Sequence, residues 1–152
     1  MQELVERFFD QIINLGDHAG LPIFMTSDCQ HQIALVPGLP RGPRGLEFFL
    51  MSLRDSFAQV YCAPQTIEVQ QDSFRVAFML HGIHRGNFLD VELSGQEVKT
   101  EGSYSAKVYG RKIAQDCLEL NIKELLQQLR VSSTVRNLPK LKPERNRYDS
   151  YK

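Results

Sequence analysis

The chain has 152 residues, of which 42% are hydrophobic and 24% charged. That is the composition of one globular domain, large enough to bury a core without disulfide or metal staples. Lys+Arg and Asp+Glu both number 18, so net charge gives no reason to expect nucleic acid or an anionic membrane as a partner.

Residues 2–15 predict an amphipathic helix, with Leu4, Val5, Phe8, Ile12 and Leu15 along one stripe. The segment carries acid and lacks a long apolar core, so no signal peptide is expected; nor does any run approach the ~20 apolar residues that span a bilayer. Gly16 suits the helix end, and Asp17 is placed to cap a short helix over 18–25. Residues 32–36 read as a strand running into residues 37–45, where three prolines and three glycines in nine residues dictate a loop. Its Arg41 and Arg44 read as an anion clamp or as solvated loop residues.

From Gly45 to about residue 59 the helical period returns, with Leu46, Phe49, Leu50, Leu53 and Phe57 on one face. Strands are predicted at 66–70, 74–84, 97–109 and 112–120. In the second, Phe74, Val76, Phe78 and Leu80 share a face; in the third, Val98, Thr100, Gly102, Tyr104, Ala106 and Val108 do. A short helix follows at 121–129. Residues 131–152 hold six basic side chains against Glu144 and Asp149, a net +4, and read as a basic tail outside a domain of residues 1–130. Cys29, Cys62 and Cys117 are odd in number and widely spaced. Read as having no CxxC or Cys/His pairing, they argue against a disulfide framework and a zinc site. A soluble cytoplasmic protein is the expectation.

Helices first and an antiparallel meander afterwards predict an α+β fold, with the N-terminal helices packed on the concave side of a curved, mostly antiparallel sheet that encloses a cone-shaped cavity. Any chemistry belongs in the cavity so enclosed. In β-strand parity Asp116 points the same way as Ala114 and Leu118.

The segment carrying Gly82, His84, Gly86 and Phe88, followed by Ser94-Gly95, Val98 and Gly102, resembles the SnoaL-like polyketide cyclase family of the nuclear transport factor two-like superfamily. So do Asn14-Leu15-Gly16-Asp17 after the first helix, Gly42-Pro43-Arg44-Gly45 before the third, and Leu125-Leu126-Gln127-Gln128-Leu129 near the end. The resemblance covers residues 4–130. It implies a cone-shaped α+β barrel, a homodimer formed through the outer sheet face, an apolar pocket for a small hydrophobic molecule, and no metal or organic cofactor. It further implies cofactor-independent acid/base chemistry on a carbonyl compound, of the polyketide cyclase (aldol) or ketosteroid isomerase type; charge and hydropathy, for their part, lead one to expect no membrane and no nucleic acid as partner. That chemistry asks for a carboxylate in an apolar cavity and donors for an enolate.

Residue by residue, the same resemblance sets Leu118 where the family's catalytic Asp stands, Tyr104 at its assisting His, and Asp116 two residues before the Asp position. Asp116 thus reads either as a general acid/base or as a carboxylate held in a structural network. Tyr104 reads as a donor to a ligand oxygen or as barrel filling. His31 is a candidate pocket residue, His84 a pocket residue or the fixer of a strand-end turn, and Phe78 and Leu118 line the pocket. The alternative to an enzyme is a non-catalytic ligand-binding or dimerisation module on the same fold. A relation to ketosteroid isomerase or limonene-epoxide hydrolase would require Asp116 to pair with Tyr or Arg inside the cone.

Overall fold

The computed structural model describes residues 1–33, 35–88, 91 and 94–136, with side chains as far as residue 130. Helix α1 (Gln2–Phe8) runs on as π-helical turns over Phe9–Asn14. Val5, Phe8, Phe9, Ile12 and Ile13 are buried, as the stripe predicts, but Leu15 is 78% exposed because the chain has already turned towards Gly16, at φ +74°. A 3-10 turn (His18–Gly20) and the one-turn α2 (Leu21–Phe24) follow. They replace the single helix expected at 18–25, and the Asp17 side chain makes no capping hydrogen bond.

Strand β1 (Met25–Ile33) comes earlier than the 32–36 expected. Only Met25, Cys29 and Ile33 are fully buried along it, a spacing of four that hides a strand from a search for alternation. After the Pro/Gly loop, α3 (Pro43–Ser56) buries Leu46, Phe49, Leu50 and Leu53. Phe57 already belongs to β2 (Phe57–Val69), which begins nine residues before the strand predicted at 66–70. Register shifts at Ala58/Tyr61 and Pro64/Thr66, with Gln59 at φ +53°, break its alternation and explain the miss.

The remaining strands, β3 (Ser73–His84), β4 (Glu97–Tyr109) and β5 (Lys112–Leu120), sit where predicted. The sheet has five strands in the order β1-β5-β4-β3-β2, antiparallel except for the β1–β5 pair. Its two edges do not join, so the curved sheet is an open cone and not a closed barrel. The helices fill the concave side. There Tyr104 is wholly buried, its ring centroid 5.4 Å from Phe8, 6.1 Å from Phe9 and 6.0 Å from Phe74. Burial of each such ring stabilises the fold by about 1.5–3 kcal/mol.

Three polar side chains fasten the helices to the sheet and to one another. Asn14 pairs with the backbone of edge strand β2: its Nδ2 donates to the Cys62 carbonyl (3.0 Å) and its Oδ1 accepts from the Cys62 N–H (2.8 Å). Arg54 of α3 donates to the carbonyls of Ile13 and Asn14, a cation at a helix C-terminus. Helix α4 (Ile122–Arg136), N-capped by Asn121 through the Glu124 N–H, buries Leu125 and Leu129. Its Gln128 exchanges two hydrogen bonds with the Lys99 backbone, which lies beyond the end of β5. The helix extends past the expected domain edge at residue 130, and residues 137–152, most of the expected basic tail, lie outside the described residues. No helix among the described residues is long and apolar enough to cross a membrane.

Candidate buried polar site

The parallel pairing of β1 with β5 places His31 directly beside Asp116. On the other side of β5, Ala106 faces Asp116 and Tyr104 faces Leu118, so Tyr104 reaches Asp116 diagonally. Asp116 points inward, as expected, but its neighbour in parity is Ile113 and not Ala114. Ile113 pairs with Val108 and Gln115 with Lys107, leaving Ala114 as an extra residue. The bulge shifts the strand's alternation, so Ile113 is fully buried and Ala114 only half-buried.

The carboxylate is held on both sides. His31 Nδ1 lies 2.7 Å from Asp116 Oδ1, and the Tyr104 hydroxyl donates to Oδ2 at 2.7 Å. The other ring nitrogen of His31, Nε2, lies 2.7 Å from the Gly42 carbonyl. A carbonyl only accepts, so Nε2 carries a hydrogen. The Pro/Gly loop reaches this position because glycine permits it. Gly42 stands at φ +82°, where a Cβ would meet the Ser27 carbonyl at 2.3 Å; a Cβ on Gly45 would lie 2.6 Å from His31 Cδ2. Arg41 and Arg44 of the same loop make no hydrogen bond or ion pair among the described residues.

Burial alone would lower the His31 pKa, but the hydrogen bond and charge of Asp116, with the Gly42 carbonyl, outweigh it and raise the value. Burial, then the charge of Asp116, pushes the Tyr104 hydroxyl well above its usual value. Cys29, two residues before His31 on the inward face of β1, completes the cluster. Burial, then the charges of Asp116 and Asp28, pushes its thiol up to about 12. Donor atoms of Cys29, His31 and Asp116 all lie within 4.8 Å of one another, a set able to hold a metal ion.

Deeper in the cone, Phe9, Leu53, Phe78, Leu80, Leu118 and the ring of Tyr104 wall a hollow of about 10 Å³, barely the room for one water molecule. The surface turned to it is apolar. On the outer sheet face a groove of about 480 Å³ runs across the strands, past Gln32, Glu68, Arg75, Lys107, Gln115 and Cys117.

The structure therefore brings Asp116, Tyr104 and His31 into one network, with Phe78 and Leu118 beside it on the hollow. His84 stands apart at the end of β3. Its Nδ1 accepts from the Ser94 N–H at 3.2 Å and lies 2.9 Å from Ser94 Oγ, and its ring packs 5.5 Å from Phe57. Those bonds fix a strand-end turn. Cys29 is the member that sequence reasoning missed, and the Cys29-Gln30-His31 spacing is the signal that pointed to it.

A model of the SnoaL-like polyketide cyclase family matches residues 3–129. TsrD from Streptomyces laurentii has a similar structure, with 20% identity, a TM-score of 0.74, and 84% of this chain and 92% of that one covered. A SnoaL-like polyketide cyclase from Agrobacterium tumefaciens gives 15% identity and a TM-score of 0.73 over 84% of this chain and 96% of that one. At such identities the likeness is one of fold. No curated protein matches the sequence.

Proposed function

The chain belongs to the SnoaL-like polyketide cyclase family, and we propose that within it this protein is a non-catalytic module that associates with a second copy of itself. One observation carries the reading: the polar atoms of the buried network are satisfied by one another and by Gly42, while the hollow meets apolar surface alone. General acid/base catalysis needs a donor or acceptor within about 2.6–3.2 Å of the substrate atom it serves, and here none is turned towards the space a substrate would fill.

Self-association is supported by the outer face of the sheet. At its centre Ala77 pairs with Ser103, two small, half-buried residues. On that face Arg75 and Lys107 lie towards one strand-end, Glu119 stands opposite Ser103 in the central row, and Glu101 and Lys99 lie towards the other end. A two-fold axis through Ala77 and Ser103, crossing the strands, sets the row of Arg75 and Ser105 over the partner's row of Met79 and Glu101, where Arg75 comes beside an acidic side chain. The free thiols of Cys29, Cys62 and Cys117 suit a reducing compartment such as the cytoplasm.

The test is the mass in solution, by light scattering on a sizing column, of the parent and of Ser103→Arg. A dimeric parent and a folded, monomeric variant support the reading. A monomeric parent, or turnover of a polyketide-like ester lost in Asp116→Asn, overturns it. The second reading, a cofactor-independent acid/base enzyme acting on a small apolar carbonyl compound, is favoured by Tyr104, whose ring walls the hollow while its hydroxyl holds Asp116. It requires the hollow to open, and that same turnover assay decides it.

A further inference from the structure

We propose that Cys29, His31 and Asp116 form a zinc site. The three donors are a thiol, an imidazole and a carboxylate, all within 4.8 Å of one another in the interior of the cone. All three come from strands: Cys29 and His31 share the inward face of β1, and Asp116 is the residue of β5 paired with His31.

The outer partners of such a site are already in place. A histidine that ligates a metal through one nitrogen almost always donates its other N–H to a carbonyl or carboxylate, which fixes the ring and its tautomer. His31 does this through Nε2 to Gly42, leaving Nδ1 facing Asp116. A ligating carboxylate is likewise steadied by a donor on its free oxygen, and Tyr104 supplies one to Oδ2. The glycines that let the loop close on His31 are therefore part of the site.

Charge and donor type select the ion. A thiolate and a carboxylate neutralise one divalent cation, so the filled site is neutral in surroundings that penalise net charge. Sulfur and nitrogen beside oxygen suit zinc, whereas calcium and magnesium take oxygen ligands. With bonds of about 2.0–2.3 Å in tetrahedral geometry, neighbouring donors stand roughly 3.3–3.8 Å apart. The widest pair therefore closes by about 1 Å, and the His31–Asp116 hydrogen bond opens by a similar distance. With a water molecule as the fourth ligand, the reaction balances as one Zn²⁺ bound for two protons released: the Cys29 thiol proton, and the proton lying between His31 Nδ1 and Asp116 Oδ1. Tyr104 keeps its hydrogen.

The proposal is independent of self-association, and a monomer that binds zinc overturns only the earlier reading. The experiment takes the full chain, strips it with a chelator and titrates it with Zn²⁺ against a chromophoric competitor, counting protons released into weak buffer. Co²⁺ is then bound in zinc's place and read by its thiolate charge-transfer band. One zinc per chain, two protons released and a cobalt–thiolate band are expected. Affinity should fall at least 100-fold in Cys29→Ser and stay unchanged in Cys117→Ser. Absence of saturable binding overturns the proposal, as does a band and affinity that survive in folded Cys29→Ser. The cobalt spectrum of the parent decides between a thiolate site and none even if Cys29→Ser does not fold.

Discussion

His31 Nδ1 and Asp116 Oδ1 stand 2.7 Å apart across a parallel strand pair, and a single proton serves both atoms. Because Nε2 is committed to the Gly42 carbonyl, the pair exists as imidazolium with carboxylate or as imidazole with carboxylic acid. Either way, its polar ends are matched inside the cone.

Replacing Asp116 separates the roles of its charge and its shape. Asp116→Asn retains an acceptor for Tyr104 and offers an amide donor to His31 Nδ1, so it should cost only about 1 kcal/mol. Asp116→Ala strands a buried hydroxyl and a buried imidazole and should cost about 3–5 kcal/mol. Urea unfolding of both variants checks this ordering, and equal losses would refute it.

Tyr104→Phe keeps the ring among Phe8, Phe9 and Phe74 and removes only the donor to Asp116. A loss of about 1.5–3 kcal/mol is expected, the range for a hydrogen bond to a charged group. A much larger loss would show that the ring itself had moved, which the near-ultraviolet circular dichroism spectrum would register.

The Pro/Gly loop and the first turn of α3 that follows it offer a steric comparison. Gly45→Ala would set a Cβ 2.0 Å from the Pro40 carbonyl oxygen and 2.6 Å from His31, whereas Gly38→Ala meets nothing within 4 Å and carries only the strain of φ +77°. The first should cost several kcal/mol and the second about 1–2 kcal/mol. Thermal unfolding of the two variants in parallel tests whether the loop is pressed against β1.

His84 sets a pH dependence. Burial lowers its pKa below the usual 6.5, partly offset by the Gly86 backbone. The unfolded chain therefore takes up a proton before the folded one does. Its contribution to stability is whole above pH 6.5 and is lost as the pH falls towards the folded value. Between pH of about 7.5 and 5.5, the parent's urea midpoint should fall relative to that of His84→Asn. Parallel curves for the two proteins would contradict the assignment.

Much of this fold was legible because β3 and β4 alternate cleanly and α1 and α3 carry regular apolar stripes. Strands β1 and β2 were not. In β1 the pairing with β5 slips between Met25 and Gln30, and two bulges interrupt β2. An irregular strand loses the period that announces it. The site divides the same way. Strand parity gave the inward aim of Asp116, and Tyr104 lay on the predicted inner face. That His31 and Cys29 meet Asp116 follows from β1 lying parallel to β5, a pairing between residues 85 positions apart that no local pattern encodes.

Asn14, which occupies both backbone groups of Cys62, does more than anchor the first helix. Strand β2 is the last in the sheet, and an exposed last strand is a template on which further chains add and grow into fibrils. On that border one amide side chain stands where a sixth strand would pair, and it already holds the donor and the acceptor that Cys62 would offer to it.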